Sequence, residues 1–509
     1  MENTKIEHIV RIEPMGVKCK VPHGTFLGSI LGQYGADFPC SGRGVCGNCR
    51  IELLEGNIEL SQGQRILLER KGYSTDKWRI ACLSMVTEDI TIRIPQGKHQ
   101  ILTDQSQIKE GKEEGYAIAV DLGSTTIVAQ LINLENGEII SSAAELNKQS
   151  QYGADIMSRI SFAIQDDEKL TILSSLIREQ IGKQIKSLIS SSQISDIRRV
   201  VLVGNSVMHH LFCHLDVTPL AAYPFQSEKN AAQTFTPEEL GWDLPATCQI
   251  TFLPNISHFV GSDILAGLKT IEIHKQEKWH ALIDLGTNGE MVIGKKGKIL
   301  CTSTAAGPAF EGVNISKGMR AVSGAICAVD ENNGQIQVVD QAEPVGICGS
   351  GLIDAIHYLT KQEIIDMSGA IADESLTDKL TIAPNVAVLE QDIREFQLAK
   401  AAIAPGFQLL MKELSITIED IETIHVSGGL GTYLNINNAM EIGLLQGKNI
   451  EQIHKAGNTA LIGCKKFLYQ ENQKDIDEIL SITDHFGLES SPDFQDYYCN
   501  NLFFGNIFL

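Results

Sequence analysis

Four cysteines have the spacing that most directly predicts chemistry. Cys40-x5-Cys46-x2-Cys49 is followed, after 32 intervening residues, by Cys82. Three glycines within the first loop allow its backbone N–H groups to turn toward sulfur. Zinc ribbons usually pair two C-x2-C knuckles, whereas here three cysteines share one loop and the fourth is distant. The pattern favours a 2Fe-2S cluster, with structural zinc as the alternative.

The segments around these cysteines have the pattern of short β-strands. Strands are predicted at Glu7 to Glu13, Lys18 to Val21, Arg50 to Leu54 and Ile90 to Ile94, and one short helix at Phe26 to Tyr34. With its C-x5-C-x2-C loop, this module resembles the adrenodoxin-like branch of the β-grasp 2Fe-2S ferredoxins over residues 1 to about 95. The resemblance implies that Cys40, Cys46, Cys49 and Cys82 hold the cluster. The other eight cysteines are scattered, and we expect them to be structural.

The charge of the chain divides at the end of this module. The 509 residues carry 42 Lys and Arg against 63 Asp and Glu, a net charge of −21. Residues 1–95 hold 12 of the basic and 11 of the acidic residues, so residues 96–509 carry a net charge of −22. An acidic surface opposes binding to nucleic acid or anionic lipid, because such binding depends on neutralising phosphate. With no apolar signal segment and no run of ~18 uncharged apolar residues, the sequence predicts a cytoplasmic protein without nucleic acid or membrane partners.

A second set of chemically competent residues occurs twice. Tyr116-Ala-Ile-Ala-Val-Asp-Leu-Gly-Ser-Thr-Thr126 is repeated as His280-Ala-Leu-Ile-Asp-Leu-Gly-Thr-Asn-Gly-Glu290, with the two motif aspartates 163 residues apart. Each copy predicts a buried strand ending in Asp-Leu-Gly, then a second strand and a glycine turn. Glycine and hydroxyl residues at such a bend offer donors to phosphate oxygens, and Asp can orient hydrated Mg²⁺. One copy alone would indicate a structural turn as readily as a binding site, so the duplication carries the prediction.

Together with Ile424-His-Val-Ser-Gly-Gly-Leu-Gly431, the two copies resemble the actin, sugar-kinase and heat-shock ATPase (ASKHA) superfamily over roughly residues 115 to 470. The expected fold class is therefore α/β with an α+β N-terminal module, a β-grasp ferredoxin followed by a duplicated actin-like ATPase. In that fold two α/β halves close on ATP. The resemblance implies a first phosphate loop, a second phosphate loop and an adenosine wall, formed respectively by Asp121, Gly123, Ser124, Thr125 and Thr126, by Asp284, Gly286, Thr287 and Asn288, and by Ser427, Gly428, Gly429 and Gly431.

Two further segments place polar residues at bends. Asn205 follows a buried strand, where a residue can face nucleotide in an open α/β sheet. Gly349 and Ser350 begin a predicted helix and suit anion or ribose contact. A tight junction between helix and sheet would explain the second segment equally well.

Three carboxylates are candidates for positioning or deprotonating a hydrolytic water. Asp284 belongs to the second phosphate loop, Glu290 closes that hairpin, and Glu311 lies in a Pro-Gly bend. The sequence does not choose among them.

Composition predicts the remaining boundaries. Residues 96–115 are polar and lack Phe, Tyr and Trp, which predicts a flexible linker. The two ATPase halves are expected at 116–278 and 279–470. An extension at 471–509 ends in 16 residues that hold six of the chain's 30 aromatics. We expect this extension to pack on the ATPase, with a dimer or partner contact as the alternative.

A 2Fe-2S ferredoxin fused to an ASKHA ATPase is similar to the reductive activators of corrinoid proteins, including those of anaerobic methyltransferase and O-demethylation systems. The shared phrases are Val203-Gly-Asn-Ser206, Asp284-Leu-Gly-Thr-Asn-Gly-Glu290, Gly307-Pro-Ala-Phe-Glu-Gly312, Gly349-Ser-Gly-Leu352 and Val426-Ser-Gly-Gly-Leu-Gly431. The resemblance implies one-electron reduction of inactive Co(II) to Co(I), coupled to ATP and Mg²⁺. The implied partners are a corrinoid protein and a low-potential electron donor, and a homodimer is left open. The chain is shorter than the longest relatives, which insert a larger segment between ferredoxin and ATPase, so dimerisation through such a segment is not implied.

Two other classes of function fit the same residues. One is a small-molecule kinase with a redox-sensing ferredoxin domain, although no substrate signature is present. The other is a nucleotide-switched chaperone that assembles a metalloenzyme. The four-cysteine pattern argues against the related dehydratase activators, which share a 4Fe-4S cluster between two chains.

Overall fold

The computed structural model describes the chain apart from residues 1–5, 35, 37, 39–41, 43, 45–46, 48, 72, 95–103, 109–112, 154, 190–193, 223–224, 226, 228, 287, 373–378, 431–432 and 506–509. Two compact units are formed, unit 1 by residues 1–99 and 148–162, and unit 2 by residues 100–147 and 163–509. Residues 148–162 therefore group with the cysteine-containing module, whereas the sequence boundaries assign them to the first ATPase half. The predicted domain boundaries remain predictions.

Unit 1 is built on a five-stranded sheet. Its elements within residues 1–99 are β1 (Glu7–Glu13), β2 (Val17–Pro22), β3 (Thr25–Phe26), α1 (Gly28–Leu31), β4 (Arg50–Glu55), α2 (Gln62–Arg70), β5 (Trp78–Ile80), β6 (Met85–Val86) and β7 (Ile90–Arg93). The sheet order is β2-β1-β7-β4-β5, with β1 and β7 parallel and the other neighbours antiparallel. The four predicted strands are confirmed, and the predicted helix is α1 continued by a 3-10 turn at Gly32–Tyr34.

The expectation of a single helix in this module was wrong, because α2 was missed. Ser61 caps this helix, and its side chain accepts a hydrogen bond from the Gln64 N–H at 3.2 Å. Gly63 in the first turn hides the helical pattern, since glycine is a poor helix former. The buried Gln64 side chain donates to the Leu83 carbonyl at 3.0 Å and accepts from the Ile80 N–H at 3.1 Å. Helix α2 thus fixes the turn that carries Cys82.

The first half of unit 2 contains a six-stranded sheet. Helix α3 (Ile156–Ala163) belongs to unit 1 as far as residue 162. The elements of this half of unit 2 are β8 (Tyr116–Leu122), β9 (Thr126–Asn133), β10 (Ile139–Leu146), α4 (Asp167–Leu188), β11 (Ile197–Gly204), α5 (Ser206–Cys213), β12 (Gln233–Phe235), α6 (Pro237–Leu240), β13 (Gln249–Phe252) and α7 (Ser262–Ile271). The sheet order is β10-β9-β8-β11-β13-β12.

The second half contains another six-stranded sheet. Its elements are β14 (Trp279–Leu285), β15 (Gly289–Lys295), β16 (Lys298–Thr304), β17 (Ala325–Val329), β18 (Ile336–Val338), β19 (Gly346–Ile347), α8 (Gly349–Lys361), β20 (Lys379–Ala383), β21 (Val386–Leu389), α9 (Glu390–Leu414), β22 (Ile421–Ser427), α10 (Ile436–Glu441), β23 (Ile453–Gly457), α11 (Thr459–Phe467), α12 (Lys474–Ser481), β24 (Thr483–His485) and α13 (Phe494–Asn500). The order of its large sheet is β23-β22-β14-β15-β16-β24.

The two large sheets repeat one topology, which confirms the duplicated ASKHA fold. In each, an antiparallel meander (β8, β9, β10 or β14, β15, β16) is extended by two parallel strands (β11, β13 or β22, β23). Asp121 and Asp284 each occupy the second-last residue of the central strand, beside Val203 and Ser427 of the adjacent parallel strand. The duplication seen in the sequence is therefore a duplication of site geometry.

Helices α7 and α11 join the two halves through small residues. A Cβ on Gly463 of α11 would lie 1.9 Å from the Ala266 carbonyl oxygen of α7. A Cβ on Gly267 of α7 would lie 2.8 Å from Leu282 and 3.2 Å from Thr459 of α11. Only glycine permits this close approach of the helix backbones.

Two segments outside the sheets pack on unit 2. Ile108 is buried, and Lys465 of α11 binds Asp104, so part of the stretch predicted as a linker lies against this unit. Near the C-terminus, Phe504 is fully buried, and Gln397 and Lys400 of α9 donate to the carbonyls of Leu502 and Phe503 at 2.7 and 2.8 Å.

Candidate nucleotide site and cluster ligands

The cysteine site is described in part, because Cys40 and Cys46 lie outside the described residues. Cys49 directly precedes β4, Cys82 lies in the 3-10 turn Ala81–Leu83, and their Sγ atoms are 3.3 Å apart. Ligands about 2.3 Å from one tetrahedral ion lie about 3.8 Å apart, so both thiols can serve the same metal centre. The Ala81 N–H donates to the Cys49 carbonyl at 2.8 Å, which fixes these two stretches of chain to each other. The distant fourth cysteine is thus brought beside the loop, as the spacing predicts.

One glycine of the cysteine loop is required by its surroundings. Gly44 has φ +70°, and a Cβ there would lie 2.6 Å from Leu83 Cδ2. The loop therefore packs closely on the turn that carries Cys82. A set of thiolate ligands in such a loop fits a 2Fe-2S cluster.

The two predicted phosphate loops are each closed by a backbone hydrogen bond, which spans one residue more in the first loop than in the second. The Gly123 N–H donates to the Thr126 carbonyl at 2.9 Å, and the Gly286 N–H donates to the Asn288 carbonyl at 3.0 Å. Thr287 lies outside the described residues. Each bend directly follows one of the two motif aspartates, so the arrangement expected from the repeat is present in both halves.

Asn147, which the sequence analysis missed, holds the first hairpin in place. Its buried side chain donates from Nδ2 to the Gly123 carbonyl at 3.0 Å, and its N–H donates to the Thr125 carbonyl at 2.9 Å. Ser124 and Thr125 between these contacts remain partly exposed. The hydroxyls are therefore carried on a fixed loop.

Two hydrogen bonds bring the first hairpin to the second half of unit 2. Thr125 Oγ1 donates to Glu311 Oε2 at 3.2 Å, and Asn458 Nδ2 donates to Asp121 Oδ2 at 2.7 Å. Glu311 lies in the 3-10 turn Pro308–Glu311, and Asn458 is the N-cap of α11. The predicted first loop and one predicted water-activating carboxylate are thereby adjacent.

Four carboxylates form an interacting group at the ends of the two sheets. Asp121 and Asp284 come from the hairpins, Glu290 lies opposite Asp284 on β15, and Asp263 lies in the first turn of α7. Asp263 is influenced by the charges of Asp284 and Asp121, and Glu290 by those of Asp263 and Asp284. Such oxygen ligands are the kind that Mg²⁺ takes, so the residues present fit a hydrated Mg²⁺ ion.

Burial raises the pKa of each member of this group. The pKa of Asp121 rises to about 6 even though Asn458 stabilises its charge, and burial with repulsion from Asp284 raises the pKa of Asp263 to about 7. Burial and repulsion from Asp263 and Asp284 raise the pKa of Glu290 well above its usual value. Burial also raises the pKa of Asp284, against the hydrogen bond from Ser427. The group is poised to gain a cation or to exchange a proton near neutral pH.

Asp263 is the functional candidate that sequence reasoning overlooked. A carboxylate with a pKa near 7 is suited to accept a proton from water. Burial and repulsion from Asp263 and Asp284 raise the pKa of Glu290 well above its usual value. In the sequence, Asp263 reads as an ordinary acidic residue in the first turn of a helix. The proximity of Asp263 to Asp121 and Asp284 is visible only in the structure, where α7 meets the two hairpins.

The predicted adenosine wall lies directly beside the second hairpin. Ser427 Oγ donates to Asp284 Oδ2. Gly428 has φ +94°, and a Cβ there would lie 2.4 Å from the Leu285 carbonyl oxygen and 2.8 Å from Asp284 Oδ1. A Cβ on Gly429 would have no heavy atom within 4 Å, so this residue borders open space. Gly431 lies outside the described residues.

The other predicted nucleotide contacts have structural partners. Asn205 caps α5 by accepting from the Met208 N–H at 3.0 Å. Ser350 donates to the Cys327 carbonyl at 2.9 Å, and a Cβ on Gly349 would lie 2.1 Å from the Phe310 carbonyl oxygen. These contacts are those of a tight helix-sheet junction, and a nucleotide role for the three residues stays a prediction.

Family models match three successive parts of the chain. They are the 2Fe-2S iron-sulfur cluster binding domain over residues 10–87, the RACo middle region over residues 116–276, and the C-terminal domain of RACo, the ASKHA domain, over residues 278–507. Fold, site and domain matches together define an iron-sulfur protein with an ASKHA ATPase domain.

Two relatives show to which group of iron-sulfur proteins with an ASKHA domain this chain is similar. The corrinoid activation enzyme RamQ of Eubacterium limosum is 32% identical over 420 residues, which cover 77% of this chain and 70% of the relative. The [Co(II) methylated amine-specific corrinoid protein] reductase of Methanosarcina barkeri is 28% identical over 421 residues, covering 75% and 76%. This chain belongs to the family of corrinoid activation enzymes.

A solved structure supports the same fold over the whole chain. The reductive activator for corrinoid, iron-sulfur protein covers 98% of this chain and 98% of its own, with a TM-score of 0.69 at 23% sequence identity. Within the described ranges, no helix combines the length and apolar character needed to cross a membrane.

Proposed function

We propose that this protein reduces the Co(II) of an inactive corrinoid protein to Co(I), coupled to ATP hydrolysis, in an anaerobic methyltransferase system. The observation that carries the proposal is the presence in one chain of two thiols 3.3 Å apart in a 2Fe-2S domain and of a duplicated, carboxylate-lined hairpin site. Two relatives with 28 to 32% identity are named for corrinoid activation or Co(II) corrinoid reduction.

The hairpin site binds and orients the phosphates of ATP. The N–H and hydroxyl groups of the two phosphate loops donate to phosphate oxygens, and Asp121 and Asp284 hold hydrated Mg²⁺, which when bound neutralises phosphate charge. Asp263 accepts a proton from the attacking water, with Asp284, Glu290 and Glu311 as the other candidates. Gly428 and Gly429 leave room for the adenosine.

The cysteines provide the path of the electron. Cys40, Cys46, Cys49 and Cys82 hold the 2Fe-2S cluster, which when bound carries one electron. The bound cluster would supply one-electron chemistry for the change from Co(II) to Co(I), with a low-potential donor as the source of the electron. Ferredoxin-type potentials lie near about −400 mV, and each ~59 mV of uphill one-electron transfer lowers the equilibrium constant tenfold. ATP assists by changing the relative stability of two conformations of the complex with the corrinoid protein.

We also assign the protein to the cytoplasm and leave a homodimer open. One observation supports the cytoplasm, where thiols are kept reduced: the described cysteines include no disulfide. The net charge of −21 supports the absence of nucleic acid and anionic membrane partners.

The test follows cobalt absorbance in a corrinoid protein mixed anaerobically with this chain, a low-potential reductant and Mg-ATP, leaving out each component in turn. We expect Co(I) to form only in the complete mixture. Equal rates without ATP would remove the coupling, and phosphate transfer to a small molecule would favour the kinase alternative. Nucleotide binding without electron transfer would favour the chaperone alternative. Cys82→Ser and Asp284→Asn should each abolish reduction, the first with ATP hydrolysis retained and the second with the cluster spectrum retained.

A further inference from the structure

Helix α11 contacts two parts of unit 2 that are distant in sequence. At its N-cap, Asn458 donates from Nδ2 to Asp121 Oδ2 at 2.7 Å and accepts from the Leu461 N–H through Oδ1 at 2.8 Å. About two turns later, Lys465 donates from Nζ to Asp104 Oδ1 and to the Ser106 carbonyl, both at 2.8 Å. Seven residues of α-helix span about 10 Å. One short helix therefore connects the nucleotide site with the segment Asp104–Ile108.

The ion pair between Lys465 and Asp104, which fastens this segment to α11, is shielded from water. The Lys465 side chain is fully buried and that of Asp104 is 18% exposed. Gln130 of β9 adds a hydrogen bond to the Asp104 carbonyl at 2.7 Å. Burial would raise the pKa of Asp104, but hydrogen bonds from Lys465 and Ser106 keep the pKa below its usual value. Asp104 is therefore ionised and paired at neutral pH.

A cation can displace the hydrogen bond that Asn458 donates to Asp121. Its carboxylate belongs to the group suited to Mg²⁺, and an amide N–H and a hydrated cation compete for the same carboxylate oxygen. Asn458 is the one residue that touches this carboxylate and also caps α11. A change at Asp121 is thus passed to the start of the helix.

We propose that α11 transmits occupancy of the nucleotide site to the segment Asp104–Ile108. When Asp121 turns toward Mg-ATP, Asn458 loses its acceptor, α11 shifts, and Lys465 loosens its hold on Asp104. In the sequence this segment lies between the cluster-binding domain and β8, so its release frees about 17 Å of extended chain between them. The inference rests on the nucleotide-binding part of the proposed function and does not require the corrinoid partner.

Hydrogen–deuterium exchange of the full-length protein tests this coupling. Exchange of the peptide covering residues 104–108 is measured with and without Mg²⁺ and a non-hydrolysable ATP analogue, and a fluorescent nucleotide titration reports binding separately. We expect exchange to become at least threefold faster when the analogue is bound. Binding with unchanged or slower exchange would overturn this inference alone, whereas the absence of binding would overturn both it and the nucleotide part of the proposed function.

Asn458→Ser separates the contact with Asp121 from helix capping. Serine is as good an N-cap as asparagine, but it lacks the amide N–H that donates to Asp121. We expect this variant to fold and bind nucleotide without the exchange response. A response equal to that of the wild type would contradict the role of Asn458.

Replacing the buried Lys465–Asp104 ion pair gives a second test, for which the chain has a matched control. Asp104→Asn with Lys465→Met removes both charges, so exchange at residues 104–108 should be fast and insensitive to nucleotide. Lys269→Met with Asp475→Asn removes another buried pair, 2.6 Å apart between α7 and α12, which does not touch the segment. This control should keep the wild-type response, and its loss would show that the response reflects general loosening of unit 2 and would overturn the proposal.

Discussion

Asp284 and Glu290 lie directly opposite each other on β14 and β15. Like charges at paired positions of an antiparallel sheet destabilise it, and Glu290 is only 7% exposed. Burial raises the pKa of both carboxyl groups, and the charge of Asp284 raises that of Glu290 further. Because these two carboxylates repel each other, we expect a bound cation and phosphate to stabilise this part of the fold.

We expect Glu290→Gln to leave folding almost unchanged at pH 7, because burial raises the pKa of Glu290 and glutamine keeps the shape of the side chain while removing its charge. The free energy of unfolding should change by less than about 1 kcal/mol, within the range of conservative substitutions. ATP hydrolysis should fall by about 10²-fold if Glu290 must lose its proton during turnover. Glu422→Gln is the matched control, since Glu422 is exposed and pairs with Lys278 rather than with another carboxylate. Equal losses in both variants would count against a special role for Glu290.

The raised pKa of Asp263 predicts two opposite pH effects. As a base, Asp263 must be ionised, so kcat/KM for ATP should fall as pH decreases through about 7. For folding, the native state binds more protons than the unfolded state between about pH 4 and 7, so stability decreases as pH rises through that window. Asp263→Asn should remove the acidic limb of the rate profile and raise stability at pH 8 by roughly 4 kcal/mol, with no change below pH 4. Unfolding at several pH values checks this, and a parallel shift at all of them would contradict it.

The predicted adenosine wall contains two neighbouring glycines, Gly428 and Gly429, whose substitutions should have different effects. Gly428→Ala should lower the free energy of unfolding by about 2–3 kcal/mol, because φ is +94° and the new Cβ meets the Leu285 carbonyl oxygen. Gly429→Ala meets no heavy atom within 4 Å and should leave thermal unfolding unchanged. If adenosine approaches this loop, Gly429→Ala weakens nucleotide binding at least tenfold. Unchanged affinity in a stable Gly429→Ala protein would place the base elsewhere.

The cysteine assignment is checked by metal content. Purified protein should contain two irons and two sulfides per chain, and Cys49→Ser or Cys82→Ser should lose the cluster spectrum while ATP hydrolysis persists. Cys499→Ser is the control, because Cys499 lies exposed on α13, far from the cysteine loop in sequence. Zinc in place of iron would support the alternative considered for the spacing.

Lys465→Met should be among the more damaging substitutions outside the site. Removing one partner of a buried ion pair leaves Asp104 uncompensated and typically costs about 3–5 kcal/mol. Adding Asp104→Asn should recover most of that loss, as measured by chemical unfolding. Failure of the double variant to recover would mean that the packing of the lysine chain matters more than its charge.

Much of this architecture could be predicted because its signals are local. The repeated Asp-Leu-Gly segments predict both hairpins. The cysteine spacing predicts the loop in which Gly44 packs against Leu83. What could not be predicted depends on contacts between distant segments. Asp263 and Asn458 look like ordinary helix-start residues, and only the packing of α7 and α11 brings them to the hairpins.

The predicted linker shows the same limit. Its polar composition says nothing of Lys465, which lies more than 350 residues away and pairs with Asp104. Likewise Asn205 and Ser350 have residue types suited to a ligand, yet their side chains bind neighbouring backbone groups. Residue type indicates which groups a side chain can bind, whereas the fold determines which of those groups lie within its reach.

The contact of Gly463 with Ala266 has a consequence for how the two halves of unit 2 can move. Where side chains interlock, sliding of one helix past another is limited to small steps between packed states. Here the two helix backbones meet at Gly463 and Ala266, and the Thr459 side chain of α11 packs beside Gly267 of α7. We therefore expect α7 and α11 to move together as one unit, and a single methyl group at position 463 would force the two helices apart and change the spacing of the halves that they join.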